Sequence, residues 1–444
     1  MKRILAIGIF LIPTLAIAQG GFMDRLKKKV INKAEQKADQ KVDKTIDKGF
    51  DKAEQAAKPG SKPADNTAPS KTPAATTSPA AAPAPQAAPD APAAPALKSH
   101  SKFDFVPGEQ IVYTENFEQD AIGELATGWN TTGTGEVVTL NNFPGKWFQV
   151  HQRSFYLTSN QKEFGENYTV EFDVIMQVKY NGHFLPYFSW GIISTNGEPS
   201  TGNDFLRNYR KYGSIETIFY PAEGGRSQLG IHTYNAARGY YTGDQQNVPV
   251  LSDFFGKPIH VAMQVQKERL RIWADKDKIL DAPKAVALGT MMNQLFFEIH
   301  SSSYKEDQYG MFISNLKVAK GIPDTRHKLV EEGKFSTTGI LFDVNSDVIR
   351  QESYGVLKNI ADVLKENGDI KVKIIGHTDS DGEDKKNLDL SKSRAASVAK
   401  ALQETFGIDA ARLQTDGKGE SVPVGDNKTK DGKALNRRVE FIKL

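Results

Sequence analysis

Two charged side chains in the last third of the chain are the residues best suited to ligand chemistry. Asp379 closely follows an apolar run, 370–377, that predicts a strand, and Arg394 lies fifteen positions later. Ligand sites in α/β sheets form at the carboxyl ends of strands. A carboxylate and a guanidinium facing each other across a loop match a zwitterionic amino acid: the carboxylate takes the ammonium, and the guanidinium binds the carboxylate in bidentate fashion. Without a ligand, the two side chains can instead pair with each other.

The interpretation of Arg394 depends on where its helix begins. Ser391 is a typical N-cap residue, and a helix over 391–406 places Arg394 in the first turn. A cation there opposes the helix dipole, typically by about 0.3–1 kcal/mol, which favours recruitment of this arginine for an anionic ligand. Two alternatives stay open: Arg394 points into water, or the helix begins earlier, near Asp384.

Alternating strand and helix patterns surround these two residues. The predicted strands are 338–344, 370–377, 413–415 and 438–442, and the predicted helices are 353–366 and 391–406. Together they indicate a small α/β domain over 325–444, whose length is within the usual range for a single domain.

Short motifs in this region resemble the OmpA C-terminal peptidoglycan-binding family in order and spacing. They are GHTDSDG at 376–382, Asn387, LSKSRA at 390–395, GKGE at 417–420 and NRRVE at 436–440. The resemblance implies that Asp379 and Arg394 grip diaminopimelate in the stem peptide of peptidoglycan, the first holding its ammonium and the second its carboxylate. The other residues implied for this pocket are Thr378, Asn387, Leu390 and, on the first strand nearby, Asp343.

Neighbouring charges carry other hypotheses. Arg437 and Arg438 are expected to hold the last strand against the sheet. The acidic loop 379–384 suggests calcium, but its glycine stands at the fourth place, whereas an EF-hand loop needs it at the sixth. We therefore predict neither a metal site nor a cofactor.

Residues 98–322 form short alternating runs separated by Gly, Asn, Asp and Pro, which favours an all-β sandwich. The predicted strands are 168–178, 260–266, 270–273, 295–300 and 311–318. The phrases at 115–118, 168–173, 270–275 and 313–318 resemble concanavalin A-like jelly rolls. The four tryptophans are expected in the core more often than on a sugar-binding surface.

The alternative function for this sandwich is glycoside hydrolysis or carbohydrate binding. Some concanavalin-like hydrolases use Glu-x-Asp-x-x-Glu on one strand. Glu171 and Asp173 are present, but Met176 replaces the second Glu. We therefore predict no enzyme, and expect Glu171 and Asp173 on the water-exposed face of an ordinary strand.

The first 97 residues predict three segments without a folded core. Residues 1–18 have a basic start, an apolar stretch and a small-residue cleavage site, as in a signal peptide. Residues 19–57 predict a charged amphipathic helix, either a solvated spacer or a helix on a membrane surface or partner. Residues 58–97 are a Pro/Ala-rich disordered linker.

Composition excludes several function classes. The 57 Lys and Arg nearly balance 54 Asp and Glu, which argues against a nucleic-acid partner. The chain has no Cys, so disulfides and thiol catalysis are excluded. No transmembrane helix is expected in the mature chain. The sequence as a whole predicts a multidomain, non-catalytic envelope protein in the periplasm, associated with cell wall and outer membrane, whose sandwich meets a glycan or envelope protein.

Overall fold

The computed structural model describes residues 104–444. The predicted signal peptide, amphipathic helix and linker lie outside the described residues. Within residues 104–444, no helix is both long and apolar enough to cross a membrane.

Fifteen strands and one short helix build the two-sheet region, residues 110–320. They are β1 (Gln110–Glu115), β2 (Asn130–Thr131), β3 (Gly135–Leu140), β4 (Phe143–Val150), β5 (Ser154–Leu157), β6 (Asn167–Val178), β7 (Phe188–Ile193), α1 (Asn203–Asn208), β8 (Ser214–Tyr220), β9 (Gln228–Asn235), β10 (Arg238–Asn247), β11 (Ile259–Gln266), β12 (Arg269–Ala274), β13 (Asp277–Ala282), β14 (Gln294–Ile299) and β15 (Tyr309–Lys320). The larger sheet has the order β13-β12-β11-β6-β15-β4-β3, with β1 also pairing with β15, and the smaller has the order β10-β9-β8-β7-β14.

The two sheets pack face to face through aromatic side chains. Phe172 of β6 lies edge-on to Trp190 of β7, with ring centroids 4.8 Å apart, and Phe297 of β14 lies 5.4 Å from Phe172. Such edge-to-face contacts add to the free energy gained by burying the rings. The five strands predicted from the sequence are confirmed within two residues at each end. The four tryptophans are all buried, as expected: Trp129, Trp147, Trp190 and Trp273.

The prediction that Glu171 and Asp173 face water is wrong. Both side chains are buried, on the face of β6 that points away from the core, because neighbouring cations cover them. Nδ1 of His260 lies 2.7 Å from Asp173, and Nζ of Lys317 lies 2.9 Å from Glu171. The guanidinium of Arg350, from beyond the two-sheet region, lies 3.4 Å from Asp173. These carboxylates are neutralised inside the protein, so they do not form an open hydrolase site.

The C-terminal α/β region, residues 334–443, carries one sheet with helices against it. Its elements are β16 (Lys334–Thr337), α2 (Tyr354–Glu366), β17 (Val372–His377), α3 (Asp384–Glu404), β18 (Leu413–Gly419), α4 (Lys430–Asn436) and β19 (Val439–Lys443). The sheet order is β16-β19-β17-β18; β17 and β18 run parallel and the other pairs antiparallel. The region has its own core, in which Ile360 of α2 and Val398 of α3 pack with Ile374 of the central strand β17.

The first strand of this region is displaced from its predicted position. The prediction was 338–344, whereas β16 ends at Thr337 and residues 338–350 form a loop closed by a single bridge between Phe342 and Ile349. Asn345 at the tip of this loop has a positive φ of 54°, a turn conformation that Asn tolerates better than most residues. The apolar pattern of Ile340 and Phe342 therefore marks side chains that a loop brings inward.

The two regions are in direct contact. The ammonium of Lys430 on α4 lies 2.7 Å from Glu115 and 3.0 Å from Asp120, both of which are buried. Beside this ion pair, Asp431 accepts a hydrogen bond from the backbone N–H of Thr114 at 3.1 Å. The contacts fix α4 and the residues that follow it against β1.

Candidate functional site

The central strand of the C-terminal sheet positions the predicted acid. Strand β17 ends at His377, and Asp379 lies two residues further on, buried with 7% of its surface exposed. The N–H of Thr378 donates to the carbonyl of Gly419 at 3.0 Å, which continues the attachment to β18. Asp379 Oδ1 also accepts a hydrogen bond from the N–H of Asp381 at 3.2 Å. The carboxylate thus stands at the carboxyl end of β17, as predicted.

The helix that carries Arg394 begins earlier than predicted. Helix α3 starts at Asp384 with Glu383 as its extended N-cap residue, so Ser391 is not the cap and Arg394 lies mid-helix. The argument from an opposed dipole is therefore wrong, and the alternative of a start near Asp384 is confirmed. Ser391 has another role: its hydroxyl accepts a hydrogen bond from the N–H of Gly419 at 2.9 Å.

Close packing of α3 on the sheet determines where Arg394 emerges. A Cβ at Gly376 would come within 2.1 Å of the carbonyl oxygen of Ser391, so only glycine permits this approach. One turn later the Nε of Arg394 donates to the carbonyl of Ser346 at 2.9 Å, and its guanidinium carbon lies 4.9 Å from the ring centroid of Phe342. The loop 338–350 therefore holds this arginine through a hydrogen bond and a cation–π contact.

Burial lowers the pKa of Arg394, and the charge of Asp379 opposes that shift. The guanidinium stays protonated, because arginine is not deprotonated in proteins. In the part of the chain that the structure describes, Arg394 forms no ion pair with a carboxylate. Its direct contacts are a carbonyl oxygen and an aromatic ring, while the charges of Asp379 and Asp347 act on it without an ion pair, which leaves it suited to an anionic ligand.

Arg437 is the site residue that sequence reasoning missed. Its guanidinium contacts the carboxylate of Asp379 directly, and its side chain stays 42% exposed. The expectation that it only holds the last strand is therefore wrong. Arg438 meets that expectation: it is buried and lies 2.8 Å from Glu440 of β19. Arg437 is the C-cap residue of α4 and Arg438 directly precedes β19, so no regular periodicity along the chain distinguishes the two neighbours.

The remaining predicted site residues have different surroundings. Thr378 is buried, and its hydroxyl lacks a hydrogen-bond partner among the described residues. Asn387 donates to Glu420 at 2.6 Å and to the carbonyl of Asp379 at 3.3 Å, so it supports the loop. Leu390 is half-buried on α3. Asp343 is exposed and lies in the turn after Phe342, because the strand predicted to carry it does not form.

The predicted site residues other than Arg394 do not line the neighbouring cavity, which has a volume of about 170 Å³. Arg394, Arg437 and His377 line it, with apolar side chains such as Phe342. Burial and the charge of Arg438 lower the pKa of His377 to about 4, so its ring is neutral at pH 7. Neither ring nitrogen has a hydrogen-bond partner among the described residues. An unpaired buried polar group costs about 1–3 kcal/mol, which a ligand that hydrogen-bonds to His377 would recover.

The arrangement suits an anionic or zwitterionic group. Three arginines border the cavity, Arg394, Arg437 and Arg438, and the carboxylate of Asp379 contacts the guanidinium of Arg437. Guanidinium forks match carboxylate geometry, and the carboxylate of Asp379 can accept from an ammonium. No group of three or more His, Asp or Glu side chains in residues 104–444 has the arrangement of a metal site.

Comparison with known proteins identifies this region. The sequence model of the OmpA family matches residues 341–437. Residues 341–437 are an OmpA C-terminal domain. The matched segment contains the loop around Arg394, the whole of α3 and the contact between Asp379 and Arg437. The sequence resemblance to this family is thereby confirmed.

Relatives of the OmpA domain are envelope proteins. Outer membrane porin F of Pseudomonas aeruginosa is 41% identical over 101 residues, which cover 23% of this chain and 29% of that protein. The probable lipoprotein YiaD of Escherichia coli is 45% identical over 102 residues, 23% of this chain and 46% of that protein. The chain therefore spans less than half the length of either relative.

A solved structure also matches this part of the chain. The peptidoglycan-associated lipoprotein from Burkholderia pseudomallei is 28% identical to it, with a TM-score of 0.23, and the match covers 24% of this chain and 89% of that one.

Proposed function

We propose that this protein is a non-catalytic anchor that binds the diaminopimelate stem peptide of peptidoglycan through its OmpA domain. The observation that carries the proposal is Arg394: a half-buried arginine beside an open cavity, without a carboxylate partner among the described residues. Such an arginine is stabilised when a ligand carboxylate arrives, because a buried charge is costly until it is paired.

The second half of the ligand headgroup is assigned to Asp379. An ammonium group approaching this carboxylate shares it with Arg437, whose partly exposed side chain can shift towards solvent or towards the ligand carboxylate. The Thr378 hydroxyl supplies a neutral hydrogen bond at the same place. Asn387 acts by holding the loop that carries Asp379, and Leu390 and Asp343 border the site in this proposal.

The other parts of the proposal concern the rest of the chain. Residues 1–18 are a signal peptide that directs the protein to the periplasm, and residues 19–57 and 58–97 are a charged helix and a tether. Residues 98–322 form a concanavalin-like jelly-roll domain that presents a surface to a glycan or an envelope protein, and residues 325–444 form the wall-binding domain. The tether lets the protein span a gap between envelope layers.

Co-sedimentation of the full chain with purified diaminopimelate-type sacculi tests this function. Asp379→Ala and Arg394→Ala each remove one charge-assisted contact, worth about 1.5–3 kcal/mol, so binding should weaken about tenfold to a hundredfold. Lys400→Ala is the matched control, because Lys400 is an exposed cation on the same helix. The proposal is rejected if both site variants sediment as well as the unaltered protein.

A further inference from the structure

The two-sheet region contributes a wall to the cavity beside Arg394. Lys317 of β15 and Ile111 of β1 line that cavity together with Arg394 and Arg437. The two-sheet region lies outside the matched OmpA segment 341–437. The cavity is therefore composite: one side belongs to the OmpA domain and the other lies outside the matched segment.

Bulges in β15 and β1 orient Lys317 and Ile111 towards the cavity beside Arg394. The pairing of β15 with β6 shifts register between Ser314 and Lys317, and Asn315 within the shift has a positive φ of 55°. Such a bulge turns the following side chains relative to a regular strand. The pairing of β1 with β15 shifts as well, between Ile111 and Tyr113. Both residues that reach the cavity thus lie at the edges of bulges.

The ammonium of Lys317 is fixed in position and keeps free hydrogen-bonding capacity. Its Nζ lies 2.9 Å from the buried Glu171, and the side chain is 12% exposed. An ammonium group has three N–H donors, and this ion pair is the contact that the described residues make with it. Glu171 has a second positive neighbour, His260, at 3.5 Å, so Lys317 is not its only source of compensation.

The wall is attached firmly to the domain it faces. Lys430 binds Glu115 and Asp120 on the two-sheet side, and Arg350 reaches Asp173 across the same boundary. These contacts flank the strands that carry Ile111 and Lys317. Ile111 and Lys317 are therefore held in place before a ligand binds, which lowers the entropic cost of ordering them on binding.

We infer that Lys317 is a specificity-determining residue that binds a second carboxylate of the stem peptide. The inference rests on the proposed function, in which Arg394 takes the side-chain carboxylate of diaminopimelate. The residue before diaminopimelate in such a peptide is a γ-linked glutamate, whose α-carboxylate is free. The cavity has room for more than one carboxylate, and Lys317 is a cation on the wall opposite the OmpA domain. The site thereby selects peptides in which this glutamate carboxylate is not amidated.

Titration calorimetry on the full chain tests the inference with two synthetic tripeptides. One is alanyl-γ-glutamyl-diaminopimelate, and the other is identical except that the glutamate α-carboxylate is amidated. We expect the unaltered protein to bind the acid form about tenfold more tightly, the value of one charge-assisted contact. Lys317→Gln should bind both peptides equally, at the affinity that the unaltered protein has for the amide.

A second pair of variants separates recognition from folding. Lys317→Gln leaves Glu171 with less compensation, so Glu171→Gln/Lys317→Gln is compared with Glu171→Gln, in which Lys317 is intact. The inference is supported if Glu171→Gln still prefers the peptide with the free glutamate carboxylate and the double variant does not. Equal preference in both variants, or no preference in the unaltered protein, overturns it. Arg394→Ala tests the proposed function separately. Its affinity for both peptides should fall, and an unchanged affinity for both rejects the proposed function itself.

Discussion

The guanidinium of Arg437 contacts the carboxylate of Asp379, while Arg394 binds the carbonyl of Ser346. The direct pairing of Asp379 with Arg394, one alternative for the unliganded site, does not form, because Asp379 is paired with Arg437. Arg394 is left as the cation that gains most from a ligand carboxylate. Arg437 acts as a partner of Asp379 that a ligand ammonium must share.

Arg437→Ala should weaken peptidoglycan binding less than Arg394→Ala does. Removing Arg437 deletes a guanidinium that could donate hydrogen bonds to the ligand carboxylate. It also frees Asp379 for the ligand ammonium, so the two effects on affinity partly offset each other. Calorimetry with a diaminopimelate tripeptide measures the difference between the variants. A loss for Arg437→Ala as large as that for Arg394→Ala would show that Arg437 makes the main carboxylate contact.

Lys430 should be important for stability, because it neutralises two buried carboxylates at the boundary between the regions. Lys430→Met leaves Glu115 and Asp120 close together without their cation. We expect the free energy of unfolding in urea to fall by about 3 kcal/mol. Lys428→Met, at an exposed position two residues earlier, is the control and should change little. Equal stability of the two variants contradicts this assignment.

The free energy of unfolding should depend on pH through His260. Burial alone lowers the pKa of this imidazole, but its hydrogen bond to Asp173 and the negative charges of Asp173 and Glu171 raise the pKa to about 9. Because the folded-state pKa exceeds the unfolded value of about 6.5, the charged imidazole stabilises the fold fully below pH 6.5, and this contribution disappears as pH rises through 9. His260→Gln should therefore destabilise the protein more at pH 6 than at pH 10. A cost that is the same at both values indicates a neutral histidine.

A glycine near the start of α2 allows this helix to approach the segment that precedes β1. A Cβ at Gly355 would lie 2.0 Å from the carbonyl oxygen of Phe105. Gly355→Ala improves helix propensity by about 1 kcal/mol, yet the clash should make it destabilising overall by about 1–3 kcal/mol. Gly368→Ala, where a Cβ meets no atom within 4 Å, is the control for thermal unfolding. Stabilisation by Gly355→Ala would mean that this approach is looser than the structure shows.

The sequence predicted elements with regular periodicity and failed where tertiary contacts decide. Alternation located the five predicted strands of the two-sheet region, and helix periodicity located α2. The predicted helix 391–406 left out the first seven residues of α3, and a start near Asp384 was only the alternative, because residues 384–390 are mostly polar and show no apolar stripe. Asp343 was assigned to a strand because its apolar neighbours alternate, although a loop carries them.

The site residues also divide into those that local sequence spacing predicts and those that depend on long-range contacts. Asp379 and Arg394 stand out through motif spacing, which is local in sequence. The contact of Arg437 with Asp379 joins residues 58 positions apart, and the contribution of Lys317 to the cavity depends on how the two-sheet region meets the C-terminal region. Burial of Glu171 and Asp173 has the same origin, since cations from β11, β15 and the loop before α2 cover them. No pattern along the chain reports such long-range contacts.

The central claim is that an acid and an arginine recognise the zwitterionic headgroup of diaminopimelate. Lysine is the matched comparison, because it has the same side-chain ammonium and lacks the side-chain carboxylate. Calorimetry with two stem tripeptides that differ only in this residue tests the claim on the full chain. We predict binding of the diaminopimelate peptide at least tenfold tighter than that of the lysine peptide, and loss of this preference in Arg394→Ala. Equal binding of both peptides by the unaltered protein would contradict it.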